Sequence, residues 1–342
     1  MILFYLLLLL IIIIGLKTIK FNGIFSNYLD QDNTLYFKGI FVFMVILAHF
    51  GDYIIYDGVL DKSYEFVNLL FNQLIVTMFF FYSGYGIFES VKIKGKQYII
   101  DFPKKRLLIV WVSFVICVSL YLIGGWILGN SFSFKQIVLS YIAWDNLGNS
   151  NWFMFVTFAA YILFYISFIK YNESKPLNNL LFFTGLLFLL MVFLYFTKSN
   201  LWYDTIICLP LGMWFSYYKE SIDEYMNNNR NWISSIILLI SLFICTYLLG
   251  AFIYHPIYII TSACFSLIIV LLSMKLKLNS SILRYLGSHV FSIYMLQRLV
   301  FMFMSLVIEN KYILFVISVL IILFLSSIFD KIMNKLKYFC SR

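Results

Sequence analysis

Charged residues are scarce in this sequence. Only 12% of its 342 residues are charged and 63% are hydrophobic, whereas a soluble domain averages about 25% charged and about 45–50% apolar residues. Four prolines and sixteen glycines leave no stretch with the composition of a linker or a second soluble domain. The composition therefore predicts an all-α, polytopic membrane helix bundle that is solvated mainly by lipid.

Cysteine and histidine are also sparse. The five cysteines are scattered singly without a CxxC pair, so neither a disulfide framework nor a zinc site is predicted. Three histidines far apart in the chain give no reason to expect another metal centre. The net charge of +9 comes mostly from short loops between apolar stretches, where basic residues set membrane orientation. The lipid bilayer is thus the expected partner, and nucleic acid is not.

The N-terminus lacks the features of a cleaved signal peptide. The run MILFYLLLLLIIIIGL has no basic region before it and no small-residue cleavage site after it, so it is predicted to be a retained helix. Spanning a bilayer takes about 20 apolar residues. Eleven transmembrane helices are predicted, at 1–16, 36–56, 66–89, 107–129, 152–170, 180–197, 203–218, 232–250, 257–274, 285–306 and 312–330.

The basic residues of the loops support this arrangement. With the C-terminus in the cytoplasm and the N-terminus outside, the inner segments hold nineteen lysines and arginines and the outer segments hold four. Such asymmetry is the usual signature of orientation in a cytoplasmic membrane. The predicted location is the bacterial inner membrane, with multiple passes.

Lys38 and His49 are the two basic residues within the second predicted helix. Eleven residues separate them, which places them on nearly the same helix face and about 16 Å apart along the axis. Ionisable groups at membrane depth usually mark a site. The structural alternatives are an interfacial anchor for Lys38, because lysine can snorkel, and an interhelical hydrogen bond for His49.

Four segments resemble, in order, motifs of the acyltransferase-3 family of bacterial membrane acyltransferases. LYFKGIFVFMVILAHF resembles the opening helix, in which a basic residue precedes an essential histidine by eleven positions. MFFFYSGYGIF, FPKKRLLIVW and LGSHVFSIYMLQ resemble its F-x-x-SG-[FY] segment, its basic helix entry and its late G-x-x-S segment. NWFMFVTFAAYILFY also matches a W-F-[LI] helix of the shorter members.

The resemblance implies ten core helices that pass an acyl group from cytoplasmic acetyl-CoA, as co-substrate, to an extracytoplasmic sugar hydroxyl. Residues 1–33 would be an added helix and cytoplasmic loop, and 34–342 the acyltransferase domain. Two positions depart from the family pattern. Lys38 stands where arginine is usual, so a bidentate contact is lost while the charge remains, and Gln297 stands where the late motif has histidine.

Further site residues follow from the basic run and the late motif. The run from Lys92 to Arg106 keeps its loop inside and is suited to attract the phosphates of coenzyme A. We expect Lys104, Lys105, Arg106, Ser83 and Gly84 to bind the donor, with helix packing as the alternative for the last two.

We expect the acceptor substrate to bind at Asn151, Trp152, Gln297 and Arg298. Arg298 has a structural alternative, because it is also placed to pair with Asp52, Asp57 or Glu309. The outer loop 130–151 is either a vestibule wall or a lid without chemical importance. For His255 a turn or cap role is favoured over catalysis, and for His289 a structural role over a contact to coenzyme A.

The sequence thus predicts a membrane O-acyltransferase, in particular an O-acetyltransferase. His49 would act as base or acyl carrier, and Lys38 would hold the donor's charge or polarise its carbonyl. The acceptor would be a hydroxyl of a cell-surface or lipid-linked polysaccharide of the cell envelope. The alternatives are a secondary transporter or lipid-linked sugar flippase with His49 in a proton relay, and a polysaccharide polymerase. The transporter alternative lacks visible internal repeats, and a polymerase would be expected to carry a larger basic outer loop.

Overall fold

The computed structural model describes residues 1–173 and 175–341, with side chains as far as Lys335. The described chain is helical apart from one short antiparallel ribbon, β1 (Leu16–Ile19) with β2 (Leu276–Leu278). The helices are α1 (Leu3–Gly15), α2 (Gln31–Phe50), α3 (Val59–Phe71), α4 (Leu74–Phe102), α5 (Ile109–Ile127), α6 (Phe134–Tyr141), α7 (Trp152–Phe168), α8 (Pro176–Thr197), α9 (Cys208–Tyr217), α10 (Lys219–Met226), α11 (Asn229–Phe252), α12 (Tyr258–Lys275), α13 (Ser281–Ser288), α14 (Val290–Met304) and α15 (Lys311–Ser341).

The predicted all-α, multi-pass architecture is confirmed. Within the described residues, six helical stretches are long and apolar enough to cross a membrane, or seven if α13 and α14, which bend by 82°, form one span. α1 and α7 are apolar but shorter. At 1.5 Å per residue, the 13 residues of α1 extend only about 20 Å, against a hydrocarbon core of about 30 Å. The structure therefore supports six or seven spans, and the figure of eleven stays a prediction.

Two predicted spans contain breaks that hydropathy does not report. The span at 66–89 crosses the junction of α3 and α4, where Asn72 has a φ of 31°. The span at 285–306 contains the bend at His289, between α13 and α14. Within α4, Gly95 has a φ of 54°, a conformation that glycine adopts without steric penalty. It kinks α4 within the basic run, and a π-helical turn at Pro103–Leu108 then leads into α5.

Polar contacts join helix ends on each side of the bundle. On the side where α2 ends, the Met1 amine lies 3.1 Å from the Asp61 carboxylate, and Lys311 bonds to Asp57 and Asp61. The hydrogen bond from Lys311 holds the pKa of the exposed Asp57 carboxyl below its usual range. We call this side the His49 end. The opposite side, which holds the start of α2 and the β1–β2 ribbon, is the Lys38 end.

Glycine allows two helix pairs to approach backbone to backbone. A Cβ atom at Gly84 of α4 would lie 2.8 Å from the carbonyl carbon of Leu209 in α9, and one at Gly39 of α2 would lie 2.8 Å from that of Leu283 in α13. Gly212 and Gly287 make the reciprocal contacts from α9 and α13. Small residues at such crossings are how membrane helices gain close packing. These contacts hold α4 against α9 and α2 against α13.

Candidate active site

One face of α2 carries a continuous stripe of four residues. Lys38, Val42, Val45 and His49 follow one another at spacings of four, three and four residues, which keeps them on the same side of a helix. The first three line a cavity, and His49 is the next position along the stripe. The part of this face from Lys38 to Val45 therefore lines an internal chamber, and His49 lies one turn beyond the lining residues.

The cavity has a volume of about 910 Å³ and lies between α2, α4, α7 and α14. Exposed residues such as Gln31, Arg106 and Ser288 line it at the Lys38 end. Phe153 and Tyr294 line it further towards the His49 end. The volume suits a substrate of drug size or larger, and the polar mouth with an apolar interior suits a ligand with a charged head and a long arm.

Lys38 is a half-buried cation without a carboxylate partner. Its Nζ atom lies 5.5 Å from the ring centroid of Tyr82, and no ion pair joins it to any described carboxylate. Glu89 lines the same cavity but pairs with Lys92 at 2.6 Å. The Tyr82 hydroxyl is buried and has no hydrogen-bond partner among the described residues. A buried polar group usually finds a partner, so Lys38 and Tyr82 together indicate a place for an anionic or polar ligand group.

His49 contacts the protein through one ring nitrogen. Its Nδ1 lies 2.8 Å from Nε2 of Gln297 on α14, and its ring centroid lies 6.1 Å from that of Tyr294. The described residues provide no hydrogen bond to the His49 Nε2 atom. The side chain is only partly buried, and its neighbour Tyr294 lines the cavity. Among the described residues, Nε2 is thus the ring nitrogen without a protein partner.

Arg298 joins three parts of the His49 end. Its guanidinium donates to the Asp52 carboxylate at 2.7 Å and to the Gly148 carbonyl oxygen at 3.0 Å. Its own carbonyl oxygen accepts from the Tyr53 hydroxyl at 3.3 Å. Of the three acids named from the sequence, Asp52 is the partner in the structure. Tyr294 fastens the same loop, because its hydroxyl donates to the Ser150 carbonyl at 2.6 Å.

Asn151 and Trp152 do not line the cavity. The buried Asn151 amide donates to the carbonyl oxygens of Ser140 and Asp145 within the outer loop. Trp152 packs edge-on against Phe153, with ring centroids 5.8 Å apart. Both have structural roles here, and their part in binding an acceptor stays a prediction.

The predicted donor-binding residues divide into two groups. Ser83 and Arg106 line the cavity together with Lys38, and Ser83 shares a hydrogen bond of 3.0 Å with the Tyr161 hydroxyl. Lys104, Lys105 and Gly84 lie outside it. Lys104 and Lys105 are exposed, and Lys105 pairs with Asp101 at 2.8 Å.

Gly84 faces α9, and its neighbour two residues on, Gly86, lines the cavity instead. Tyr82 and Tyr294 are site residues that the sequence did not single out. Tyrosine is too frequent in this chain, with 26 residues, to stand out, although Tyr82 directly precedes the Ser83–Gly84 pair.

The other two histidines are engaged away from the cavity. His255 binds the buried Asp204 carboxylate at 2.9 Å and Asn200 at 2.9 Å. His289, at the bend between α13 and α14, binds Asp330 at 2.5 Å through Nδ1. Each pair ties two segments together, which agrees with the structural roles favoured from the sequence.

Comparison with known proteins places the chain in a family. The model of a family described as "Acyltransferase domain" matches residues 26–329, so the match includes α2 and the whole cavity and begins after α1. No curated protein and no solved structure gives a significant match. Because the family model covers most of the chain, the protein belongs to the acyltransferase 3 family and is a membrane-bound acyltransferase that transfers groups other than aminoacyl groups.

Proposed function

We propose that the protein is an O-acetyltransferase that moves an acetyl group from acetyl-CoA to a hydroxyl of a cell-surface or lipid-linked polysaccharide. The observation that carries the proposal is the α2 stripe. It runs from a cation without a described carboxylate partner, at a polar cavity mouth, to an imidazole whose Nε2 makes no hydrogen bond to the described residues. If the donor is cytoplasmic and the acceptor is on the other side, the acyl arm must extend across most of the bilayer. The group that holds the head of the donor and the group that reacts must then lie at different depths, as Lys38 and His49 do.

The Lys38 end is assigned to the cytoplasm, with the N-terminus outside, eleven spans and the C-terminus inside. The support is the basic residues, nineteen in the segments of this side and four in those of the other, since positive residues favour the cytoplasmic face. Residues 1–33 would then be an added helix and loop ahead of the acyltransferase domain at 34–342.

The donor would enter from the cytoplasm with its acyl end first, and its phosphates would remain at the mouth of the cavity. Arg106 and Lys38 at the mouth suit the phosphates of coenzyme A, which both side chains bind through charge-assisted hydrogen bonds. The pantetheine arm would then extend along α2 past Tyr82 and Ser83. Lys38 and His49 lie about 16 Å apart along the helix, which is beyond the reach of a lysine side chain. Lys38 therefore holds the donor's charge in this proposal and does not polarise the carbonyl that reacts at His49.

Transfer at His49 has two chemical forms. As a base, Nε2 removes the proton of the acceptor hydroxyl while its oxygen attacks the thioester carbonyl; the C–S bond breaks, and the proton passes to the thiolate to give free coenzyme A. As an acyl carrier, Nε2 attacks the carbonyl itself, and the C–S bond breaks to release the coenzyme A thiolate. The acceptor oxygen then takes the acetyl group from the ring nitrogen, and the acceptor proton passes to the thiolate, which leaves free coenzyme A and neutral His49. Both forms need an Nε2 without a protein partner.

The test uses purified protein in detergent with acetyl-CoA labelled in the acetyl group and a membrane extract that contains the acceptor. Wild type should consume the thioester and label the acceptor. His49→Gln should lose at least about a hundredfold of the rate, because general base catalysis contributes 10²–10⁴ and glutamine keeps a hydrogen bond without a base.

The matched control is His255→Gln, which changes a histidine outside the cavity and should transfer at the wild-type rate. Normal acetylation by His49→Gln would refute the mechanism. A wild-type protein that leaves acetyl-CoA intact but moves a lipid-linked sugar across liposomes would instead establish the flippase alternative.

A further inference from the structure

The deep end of the cavity is made of one side chain from each of four helices. The helices α2 and α14 run from the Lys38 end towards the His49 end, and α4 and α7 run the opposite way. On each helix, one lining residue therefore lies furthest from the mouth. These four residues, which we call the end wall, are Val45, Val76, Phe153 and Tyr294.

The end wall is apolar and closely packed. Its two valines are buried. The ring centroid of Phe153 lies 4.6 Å from that of Phe80 and 5.4 Å from that of Tyr294. The Tyr294 hydroxyl donates to the Ser150 carbonyl oxygen at 2.6 Å, so this ring cannot swing away without losing a hydrogen bond. The cavity thus ends at a wall of packed apolar surface.

The end wall is the part of the cavity next to His49. Because the Cβ of a helical residue tilts towards the start of the helix, the His49 side chain reaches back towards Val45, one turn before it. The ring centroid of His49 lies 6.1 Å from that of Tyr294. Behind the wall, Gln297 is fully buried. A carbonyl that comes close to His49 therefore brings the carbon atoms beyond it against the end wall.

We propose that the end wall limits the length of the acyl chain, and that Val45 and Phe153 are the residues that select acetyl over longer groups. An acetyl group places one methyl group beyond its carbonyl carbon, and each longer chain adds methylene groups. A packed apolar wall resists such additions, and an apolar pocket distinguishes one methylene by about 10–200-fold. The proposal rests on the proposed function, because it takes an acyl thioester as the donor.

A competition between two donors tests this selection. Purified protein in detergent receives equal amounts of acetyl-CoA and propionyl-CoA, with different labels in their acyl groups, and a membrane extract that contains the acceptor. Wild type should transfer acetyl at least about tenfold faster than propionyl. Both donors compete for the same protein molecules, so the ratio of the two products does not depend on the fraction of a variant that folds.

Two variants enlarge the deep end, and a third is their matched control. Val45→Ala removes two methyl groups and Phe153→Leu removes part of a ring, so each should lower the preference for acetyl by about tenfold. Val42→Ala loses the same atoms from a residue that lines the cavity on the same helix, one turn nearer the mouth, and is equally buried. Its product ratio should match wild type.

Equal use of both donors by wild type, or equal shifts in Val42→Ala and Val45→Ala, would overturn the proposal. Binding of the unreactive thioethers S-ethyl- and S-propyl-coenzyme A gives a second readout without turnover. Wild type should bind the ethyl compound at least about tenfold more tightly, and Val45→Ala should lose this difference. If wild type transfers neither acyl group, the proposed function fails, and these affinities still decide the role of the end wall. Equal affinities, or no binding of either thioether, would contradict it.

Discussion

Gly84→Ala should destabilise the protein sharply, and Gly86→Ala should not. The new methyl group at position 84 would overlap the carbonyl oxygen of Leu209 and lie 2.8 Å from its carbonyl carbon, so α4 and α9 would have to separate by about 1.5 Å to restore ordinary contacts of about 3.5 Å. Overpacking costs about 1–3 kcal/mol. We expect the upper end, about 3 kcal/mol, because the atoms that clash are backbone atoms of a packed helix and cannot rotate away.

Gly86 is the matched control on the same helix. A Cβ atom there meets nothing within 4 Å, and replacing glycine by alanine inside a helix gains about 0.5–1 kcal/mol. At roughly 2 °C per kcal/mol for a chain of this size, Gly84→Ala should lower the midpoint of thermal unfolding by about 6 °C. Gly86→Ala should leave it unchanged or raise it by about 1–2 °C.

A thiol-reactive fluorophore measures both variants in detergent. Cys117, Cys208 and Cys264 are buried in the folded protein, so they react when it unfolds. The donor-binding role predicted for Gly84 gives a different result, in which Gly84→Ala keeps its unfolding midpoint and raises KM for acetyl-CoA. That result would refute the packing argument.

Three other perturbations probe the ends of the bundle. Lys38→Ala should raise KM for acetyl-CoA about tenfold to a hundredfold, the equivalent of about 1.5–3 kcal/mol for a hydrogen bond to a charged group. Lys38→Arg should keep substantial activity in the same assay, and wild-type kinetics for Lys38→Ala would exclude donor binding. Arg298→Met should speed backbone hydrogen exchange across 144–150 by releasing the Gly148 carbonyl, whereas Asp52→Asn should change it little; equal exchange in both would contradict this role. A reporter enzyme that functions only in the cytoplasm should be active when it is fused to the C-terminus. Activity of a reporter that functions only outside the cytoplasm would reverse the proposed orientation.

Helical periodicity made the central part of the site predictable. A spacing of eleven residues puts Lys38 and His49 on one face whatever the rest of the chain does, provided that α2 is an unbroken helix. Composition and hydropathy likewise sufficed for an all-α membrane protein. Both properties are local, because each depends on residues within one segment.

Properties that depend on how segments meet could not be predicted in this way. Arg106 lines the cavity and Lys104 and Lys105 do not, because the kink at Gly95 and the π-helical turn set the rotation of this segment. Nothing local shows that Gln297 meets His49, since 248 residues separate them.

The breaks at Asn72 and His289 escape hydropathy for a related reason. Neither residue is a proline or lies beside one, and apolar residues continue on both sides. A hydropathy window averages across such a break and therefore reports one continuous span.

In the proposed mechanism, the unbroken α2 helix also fixes the distance between the two ends of the donor. Because one helix carries both Lys38 and His49, the proposed mechanism requires that the distance from the charged head of a donor to the reacting carbonyl is set by helix register and not by loop conformation. One residue inserted between Val42 and Val45 would turn His49 by about 100° and leave it facing a different neighbour, while advancing it by only about 1.5 Å. The proposed chemistry therefore depends on the rotation of this helix about its axis far more than on its length. A donor with a longer acyl tail would present its carbonyl at the same depth.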